Sequence, residues 1–521
     1  FSLRIELTKN TSINIHLHII IRHHHGCRRD RRGIIMPTFD IPIDIANITI
    51  ISLGIGVASR QCQPFLTVFV ILHALVCSKS YNVLLPNSQD GWWNFKMYNP
   101  PLGPGQEDFY TWEHRKSLLR ERIGLIDADV VCLQEVSPLS FEEDFAFMTD
   151  DLGYDGVELF RKGRFRPATF WKKDRVELAT PAMHKDRTLL TPFRLLGEEG
   201  GAEDFEYWHV LNCHLQAGKQ GGRRVRQIFE GVATAFKTAK NKLKEKNPEN
   251  IKLIVCGDYN GGSECGAVQL LEKGSIGPDF IEDGEKVSSK EKVLPIPPLV
   301  DALSANGIDR GGDPPPATLV VPELISLMVK EGDETAYTNP TFSEDVLDRL
   351  HRIYSRFATV PTPDDPTQLQ MGKSDVERWL TIINLQVGRG TEFRNAAKYM
   401  GWVEPPIVSD DSGSKSKKDG KSERPPIYIP NDGILNLDDF IGVYLDELRQ
   451  GKFWGIAWDL AALGEALPVK DVFRARYDHM YCSSSLLPAV VLDTISDVAC
   501  PNASEPSDHL PVCASFVRNK V

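Results

Sequence analysis

The chain is 521 residues long and is short of several things. It has no CxxC pair, and none of its ten cysteines sits with histidines at zinc-finger spacing, which excludes a small zinc-stapled or disulfide-stapled scaffold. Cys132, Cys213 and Cys256 instead lie inside apolar runs, where cysteine packs as a small hydrophobe. A reducing, intracellular setting, cytoplasmic or nuclear, is expected. It lacks apolar runs long enough to span a bilayer comfortably; Pro64–Cys77 is too short, and a membrane role is not expected. It also lacks excess positive charge. A net charge of −11 argues against a protein that coats duplex nucleic acid non-specifically. With 41% hydrophobic and 25% charged residues, the chain can build one large domain with additions, or two to three domains.

Residues 1–78 stand apart. They carry eight Lys and Arg against four Asp and Glu, opposite in sign to the whole. An N-terminal extension without clear definition is expected, with Met36 as an alternative start and organelle targeting as the other reading.

From Ser80 an α/β texture begins. Asp129–Val136 reads as a buried strand ending near a carboxylate, Tyr207–Leu215 as a strand ending near a histidine, and Ile251–Asn260 as a strand that delivers Asp258 and Asn260. Arg223–Leu243 has helical periodicity. Residues 341–467 differ. Four helix starts are read at Thr341, Ser374, Thr391 and Asn436, with Ser409–Arg424 as a flexible linker. The expected organisation is an α/β unit over 79–340 and 468–521, interrupted by a helical insertion at 341–467.

Polar residues cluster at the ends of the apolar runs. Glu135, Asp508 and Asn82 are hard oxygen donors suited to magnesium, which keeps several waters and needs few protein ligands. Asp258 can orient and deprotonate a water. Asp478 beside His509 makes a carboxylate–imidazole pair that raises the pKa of the ring. Asn260 and His214 offer donors to a phosphate oxygen. Together these are the parts of metal-assisted phosphoester hydrolysis. Taken singly, each piece also reads as a turn, a rim carboxylate or a structural hydrogen bond.

The ordered series YNVL, DADVVCLQEV, LNCHL, IVCGDYN, YDHMYCS and PSDHLPV resembles the endonuclease/exonuclease/phosphatase superfamily, most nearly its deadenylase/nocturnin-type branch. The resemblance covers about residues 79–340 and 468–517. It implies a four-layer sandwich of two packed mixed β-sheets flanked by helices. It implies Glu135 as the main magnesium ligand with Asn82 and Asp508, and manganese as a substitute ion. It implies Asp258 on the water, Asn260 and His214 on the phosphate, and Asp478 orienting His509. Arg224 and Arg226, in the helix after LNCHL, flank the phosphate or face solvent. The implied activity is RNA exonucleolysis of the deadenylase kind. The alternatives are hydrolysis of a small phosphorylated molecule or lipid headgroup, and a calcium-responsive binding protein with a vestigial site. No obligate protein partner is expected.

The insertion resembles a degenerate pair of EF-hands, giving an all-helical EF-hand-like unit. Calcium loops need oxygen ligands at positions 1, 3, 5 and 12. Asp432 and Asp439 occupy positions 5 and 12 of one loop, but Tyr428 and Pro430 fill 1 and 3. Asp364 and Asp375 occupy positions 1 and 12 of the other, with Pro366 and Gln368 between. The ligand set is thin for calcium, and loops that have lost their metal are the competing reading.

The stretch Arg161–Lys173 interleaves arginines with Phe165, Phe170 and Trp171, and His114–Arg122 is a second basic run. Both suit single-stranded RNA; a strand with buried aromatics and solvated arginines is the other reading.

Overall fold

A computed structural model describes residues 17–23, 76–89, 91–161, 163–196, 206–304, 314–330, 339–404 and 426–519. Most of the N-terminal extension and the whole of the 409–424 linker lie outside the described residues.

The first sheet takes strands β1 (Val76–Asn82), β2 (Val130–Val136), β3 (Gly156–Leu159), β4 (Arg166–Trp171), and, from the far end of the chain, two more strands. The second takes β5 (Val176–Leu178), β6 (Thr188–Leu195), β7 (Tyr207–His214), β8 (Lys252–Asp258) and β9 (Val300–Asp301). A short ladder pairs β10 (Leu319–Pro322) with β11 (Val472–Ala475). Then β12 (Asp478–Cys482) joins the second sheet, and β13 (Leu486–Ser496) and β14 (Val512–Arg518) join the first. The first sheet runs Leu17–His23, β13, β14, β1, β2, β4, β3; the second runs β9, β12, β8, β7, β6, β5, with Met183–Lys185 added beside β6. Both mix parallel and antiparallel pairs.

The layering follows from alternation along the strands. Val130, Cys132 and Trp171 from one sheet meet Val210, Ile254, Cys256 and Met480 from the other in a shared interior. Cys132 and Cys256 thus pack as apolar spacers between the sheets, and Cys213 does so on the outer face of the second sheet. On the outer face of the first sheet, Tyr81, Val131 and Leu133 pack under α1 (Trp112–Gly124). On the outer face of the second, Leu211, Val255 and Tyr481 pack under α2 (Gly221–Asn241) and α3 (Gly266–Lys273). Helix, sheet, sheet and helix make the four-layer α/β sandwich. β1 begins at Val76, three residues ahead of the expected start.

The chain leaves the sandwich after β10 and returns at β11. Between them lie α4 (Glu344–Phe357), α5 (Lys373–Asn384), α6 (Gly390–Tyr399), α7 (Leu437–Arg449) and α8 (Phe453–Ala462). They share a separate core around Trp379, Phe440 and Tyr444. Four of the five helices match the expected starts within a few residues, but three caps differ. Ser343, not Thr341, caps α4 by accepting from Val346 N–H. α5 begins at Lys373, where Asp375 accepts from Gly372 N–H, so Ser374 lies inside the helix. α6 begins at Gly390, and Thr391 Oγ1 accepts from Arg394 and Lys452. Asn436 caps α7 as expected, accepting from Asp439 N–H at 2.8 Å. No sequence pattern marks α8. Its sequence FWGIAWDLAA is apolar nearly all round and shows no 3.6-residue contrast.

Candidate active site

The candidate site lies at one end of the sandwich, where strand register assembles it. Asp258 is paired across the ladder with His214 on one side and Asp478 on the other, so three polar side chains stand abreast on β7, β8 and β12. Gly257 makes this possible: a Cβ there would lie 1.9 Å from the carbonyl oxygen of Cys213. In the first sheet, Asn82 pairs with Gln134, which places Asn82 and Glu135 together at the ends of parallel strands. His509 and Asp508 arrive on the loop before β14, where His509 forms a single bridge to Leu319.

Three residues that turn the chain into the site adopt left-handed backbone conformations: Leu84 (φ 50°), Glu135 (φ 62°) and Asn260 (φ 50°). Such positions are costly for residues other than glycine and persist where surrounding contacts over-determine them. Here Glu135 Oε2 accepts from Leu85 N–H at 3.1 Å, and Asp258 Oδ1 accepts from Asn260 N–H at 2.7 Å.

The carboxylates crowd one another. Asp258 Oδ2 accepts from Asn82 Nδ2 (3.0 Å) and Asn260 Nδ2 (3.2 Å). Asn82 Nδ2 also reaches Glu135 Oε1 at 3.4 Å. Burial, followed by the charge of Asp508, raises the Glu135 carboxyl above its ordinary value. Burial raises Asp258 as well, with Asp478 adding to it. Carboxylates held together out of water in this way call for a cation. Glu135 and Asp508 offer the hard oxygens that magnesium prefers, so the residues present fit that ion. Asn82 is placed differently from expectation. Its Nδ2 faces Glu135 and Asp258 while its Oδ1 accepts from Leu84 N–H, so presenting that oxygen to an ion beside Glu135 requires the amide to turn over.

His509 and Asp478 form a second arrangement. His509 Nδ1 lies 2.6 Å from Asp478 Oδ2, leaving Nε2 facing Asp258 at 4.0 Å. Asp258, Asp478 and His509 bring ligand atoms within 4.8 Å of one another. We read these three as a hydrogen-bonded acid–base set rather than a metal centre, because Asp478 Oδ2 is engaged by the imidazole. His214 donates from Nδ1 to the Phe165 carbonyl at 3.0 Å, and its Nε2 stands 3.8 Å from Glu135 and 3.7 Å from Asp258. Burial, against the pull of Asp258, pushes His214 down to about 4. Its Nε2 is therefore a bare acceptor at neutral pH, suited to a substrate or water hydroxyl; donation to a phosphate oxygen needs a proton first.

Residues to which the sequence assigns no structural role at the site hold it together. Arg115, fully buried, donates to the carbonyls of Val83, Leu84 and Pro506 and so ties the Asn82 turn to the Asp508 loop. Ser507 Oγ donates to Asn82 O at 2.7 Å across the same seam. Beneath, Gln134 Nε2 donates to Asn212 Oδ1 at 2.9 Å, and Asn212 Nδ2 donates to Leu133 O and Ala168 O, linking the two sheets. Gln134 and Asn212 sit inside the ordered motifs; their pointing to the sheet interface is the signal that strand alternation carried.

Other sequence candidates lie elsewhere. Arg224 does not open onto the site. It is buried, paired with Glu282, and donates to Gln216 O at 2.9 Å, so it fastens a loop to α2. Arg226 is more than half exposed, 3.7 Å from Asp186. Phe170 and Trp171 are core residues, in line with the reading of a strand with buried aromatics, and Arg115 is structural. In the insertion, Asp375 Oδ2 accepts from Thr359 and Gly372, and Arg378 stands 3.4 Å from Oδ1. Lys373 donates to Asn431 at 2.7 Å between the two loops. Among the described residues, Asp364, Asp375, Asp432 and Asp439 do not converge as a metal-holding group.

The sequence profile of the Endonuclease/Exonuclease/phosphatase family matches residues 80–509. The chain is 26% identical over 216 residues to the CCR4-Not complex 3'-5'-exoribonuclease subunit Ccr4 of Schizosaccharomyces pombe, covering 32% of this chain and 31% of that protein. It is 23% identical over 277 residues to human 2',5'-phosphodiesterase 12, covering 48% and 44%. The chain thus spans less than half the length of these curated relatives. Similar solved structures include ANGEL2, described as a 2',3'-cyclic phosphatase, with TM-score 0.42, 16% identity and coverage of 85% and 96%. The human Nocturnin catalytic domain follows with TM-score 0.37, 14% identity and coverage of 86% and 96%. With the profile spanning most of the sequence, the chain belongs to the endonuclease/exonuclease/phosphatase family of phosphoester hydrolases.

Proposed function

We propose that the protein is a magnesium-dependent phosphodiesterase acting on RNA, an exonuclease of the deadenylase kind. One observation carries the chemistry: Asp258 sits where Asn82, Asn260 and the His509–Asp478 pair meet, beside Glu135.

Glu135 and Asp508, with Asn82 after an amide turn, would hold the magnesium ion. When bound, it neutralises phosphate charge and stabilises the oxygens of the displacement. Asp258, its basicity raised by burial, takes the proton of the attacking water. Asn260 fixes the Asp258 carboxylate through its backbone N–H and Nδ2; that Nδ2 also donates to Leu215 O at 3.1 Å, so a bond to the phosphate would require one of these to be released. Burial alone would lower the His509 pKa, but Asp478, Asp508 and Asp258 outweigh it and hold it well above the usual range. His509 therefore enters as imidazolium, with Nε2–H available to a phosphate oxygen. His214 Nε2 accepts from a hydroxyl near the same phosphate.

The RNA assignment rests on the likeness to the fungal exoribonuclease subunit, over about a third of this chain. A second reading, a small phosphoester, is favoured by the burial of Phe170 and Trp171, which removes part of the expected base-stacking surface. Binding of single-stranded RNA measured from 50 to 200 mM salt separates them. The RNA reading expects affinity to fall steeply as counterions compete; weak binding without salt dependence favours the small substrate. A vestigial site fits poorly with so complete a constellation. No helix among the described residues is long and apolar enough to cross a membrane.

For the insertion, the two loops pair through Met371 and Leu435, whose backbones exchange hydrogen bonds of 3.1 and 2.9 Å. Counted from Asp364 and Tyr428, both are eighth in their loops, as two copies of one loop design would be. This supports an EF-hand-like pair. Its Asp375 is satisfied by protein donors, and Lys373 bridges the loops, so we assign it a packing role without calcium.

A further inference from the structure

The helical insertion touches the sandwich through aromatic rings that lead toward the active site. Trp454 of α8 stacks on Trp93 of the sandwich, with ring centres 5.4 Å apart and planes 26° apart. Trp93 in turn faces Phe165 at 6.5 Å. Phe165 has φ 53°, a left-handed conformation that a bulky side chain rarely holds. Its carbonyl accepts the Nδ1–H of His214. Phe165 is half-buried, and two contacts bear on it: His214 on its carbonyl and Trp93 on its ring. Buried contacts fix Trp93 in register with the insertion: Phe95 packs edge-on against Trp458 at 4.8 Å, and Lys96 pairs with Glu392 and Asp459, each at 2.9 Å.

We infer that Trp454 is a positioning residue for His214. Through Trp93 it holds Phe165 in its left-handed turn, and the Phe165 carbonyl then fixes the tautomer and direction of the His214 ring. The insertion on this account is part of the catalytic architecture rather than an appended sensor. Without Trp454, one face of Trp93 meets water, Phe165 is free to relax to negative φ, and its carbonyl turns away from Nδ1. The effect on turnover rests on the phosphoesterase reading; the effect on the ring does not.

The test uses the full chain labelled with 15N-histidine, with the His214 Nδ1–H resonance identified by its loss in His214→Asn. Trp454→Ala should abolish or broaden that resonance and lower kcat about tenfold, with less change in KM. Trp454→Phe should restore both. Ile383→Ala, a cavity in the insertion core, should lower thermal stability while leaving the His214 resonance in place. The inference is overturned if the resonance survives in Trp454→Ala, or if Ile383→Ala removes it equally. If no phosphoester is hydrolysed but the resonance follows Trp454, positioning stands and the proposed function falls.

Discussion

His509 Nδ1 lies 2.6 Å from Asp478 Oδ2, and both residues are buried. The contact fixes which nitrogen faces the reaction. Nδ1–H is taken by Asp478, and the charge of the ring is directed through Nε2 toward Asp258. Asp478→Asn should keep the fold and lose the charge that holds His509 protonated. We expect kcat to fall about 10²–10⁴-fold with a smaller change in KM, measured by steady-state phosphoester hydrolysis.

Arg115 is the second point of leverage. Its guanidinium serves carbonyls from two loops, one at Val83 and Leu84 and the other at Pro506, that lie at opposite ends of the sandwich's sequence. Arg115→Met keeps the apolar stem but leaves those carbonyls without donors. Stability should fall by about 3 kcal/mol in denaturant titration, and magnesium affinity should weaken because the Asn82 turn and Asp508 loop lose their tie.

The insertion carries its own pH dependence. Burial, then the charge of Glu392, pushes Glu447 up to about 7 from an ordinary 4.5. Between those values the folded state holds the proton more tightly than the unfolded chain. This contribution is fully present below pH 4.5 and lost as pH rises toward and past 7. Glu447→Gln should flatten the fall of thermal midpoint between pH 5 and 8 relative to the unsubstituted protein.

Much of the site was legible because strand ends concentrate function. Glu135, His214, Asp258 and Asp478 were found as polar punctuation on apolar runs, and the register brings the last three side by side. What was missed has a common cause. Arg115 read as surface charge because a basic helix gives no sign that one arginine turns inward. Arg224 read as a phosphate contact because its partner Glu282 lies 58 residues away. α8 left no periodic trace, and the Trp454–Trp93 contact joins parts of the chain that no local pattern connects. Phe170 and Trp171, by contrast, pack inside as the reading of a strand with buried aromatics has it.

The insertion loops offer a simple negative test. Arg378 stands beside Asp375, and Lys373 spans the gap to Asn431. Calorimetric titration of the full protein with calcium, with magnesium already saturating, should give no binding heat. A saturable heat that disappears in Asp439→Ala would instead assign calcium to the second loop.

The central claim is that Glu135 organises metal-dependent cleavage of RNA. The most direct measurement is digestion of a 5′-labelled oligoadenylate with magnesium, comparing the protein with Glu135→Ala. The expected result is a ladder shortening from the 3′ end, abolished by the substitution and by chelation of the metal. Cleavage that persists in Glu135→Ala, or intact RNA alongside release of phosphate from a small ester, would contradict it.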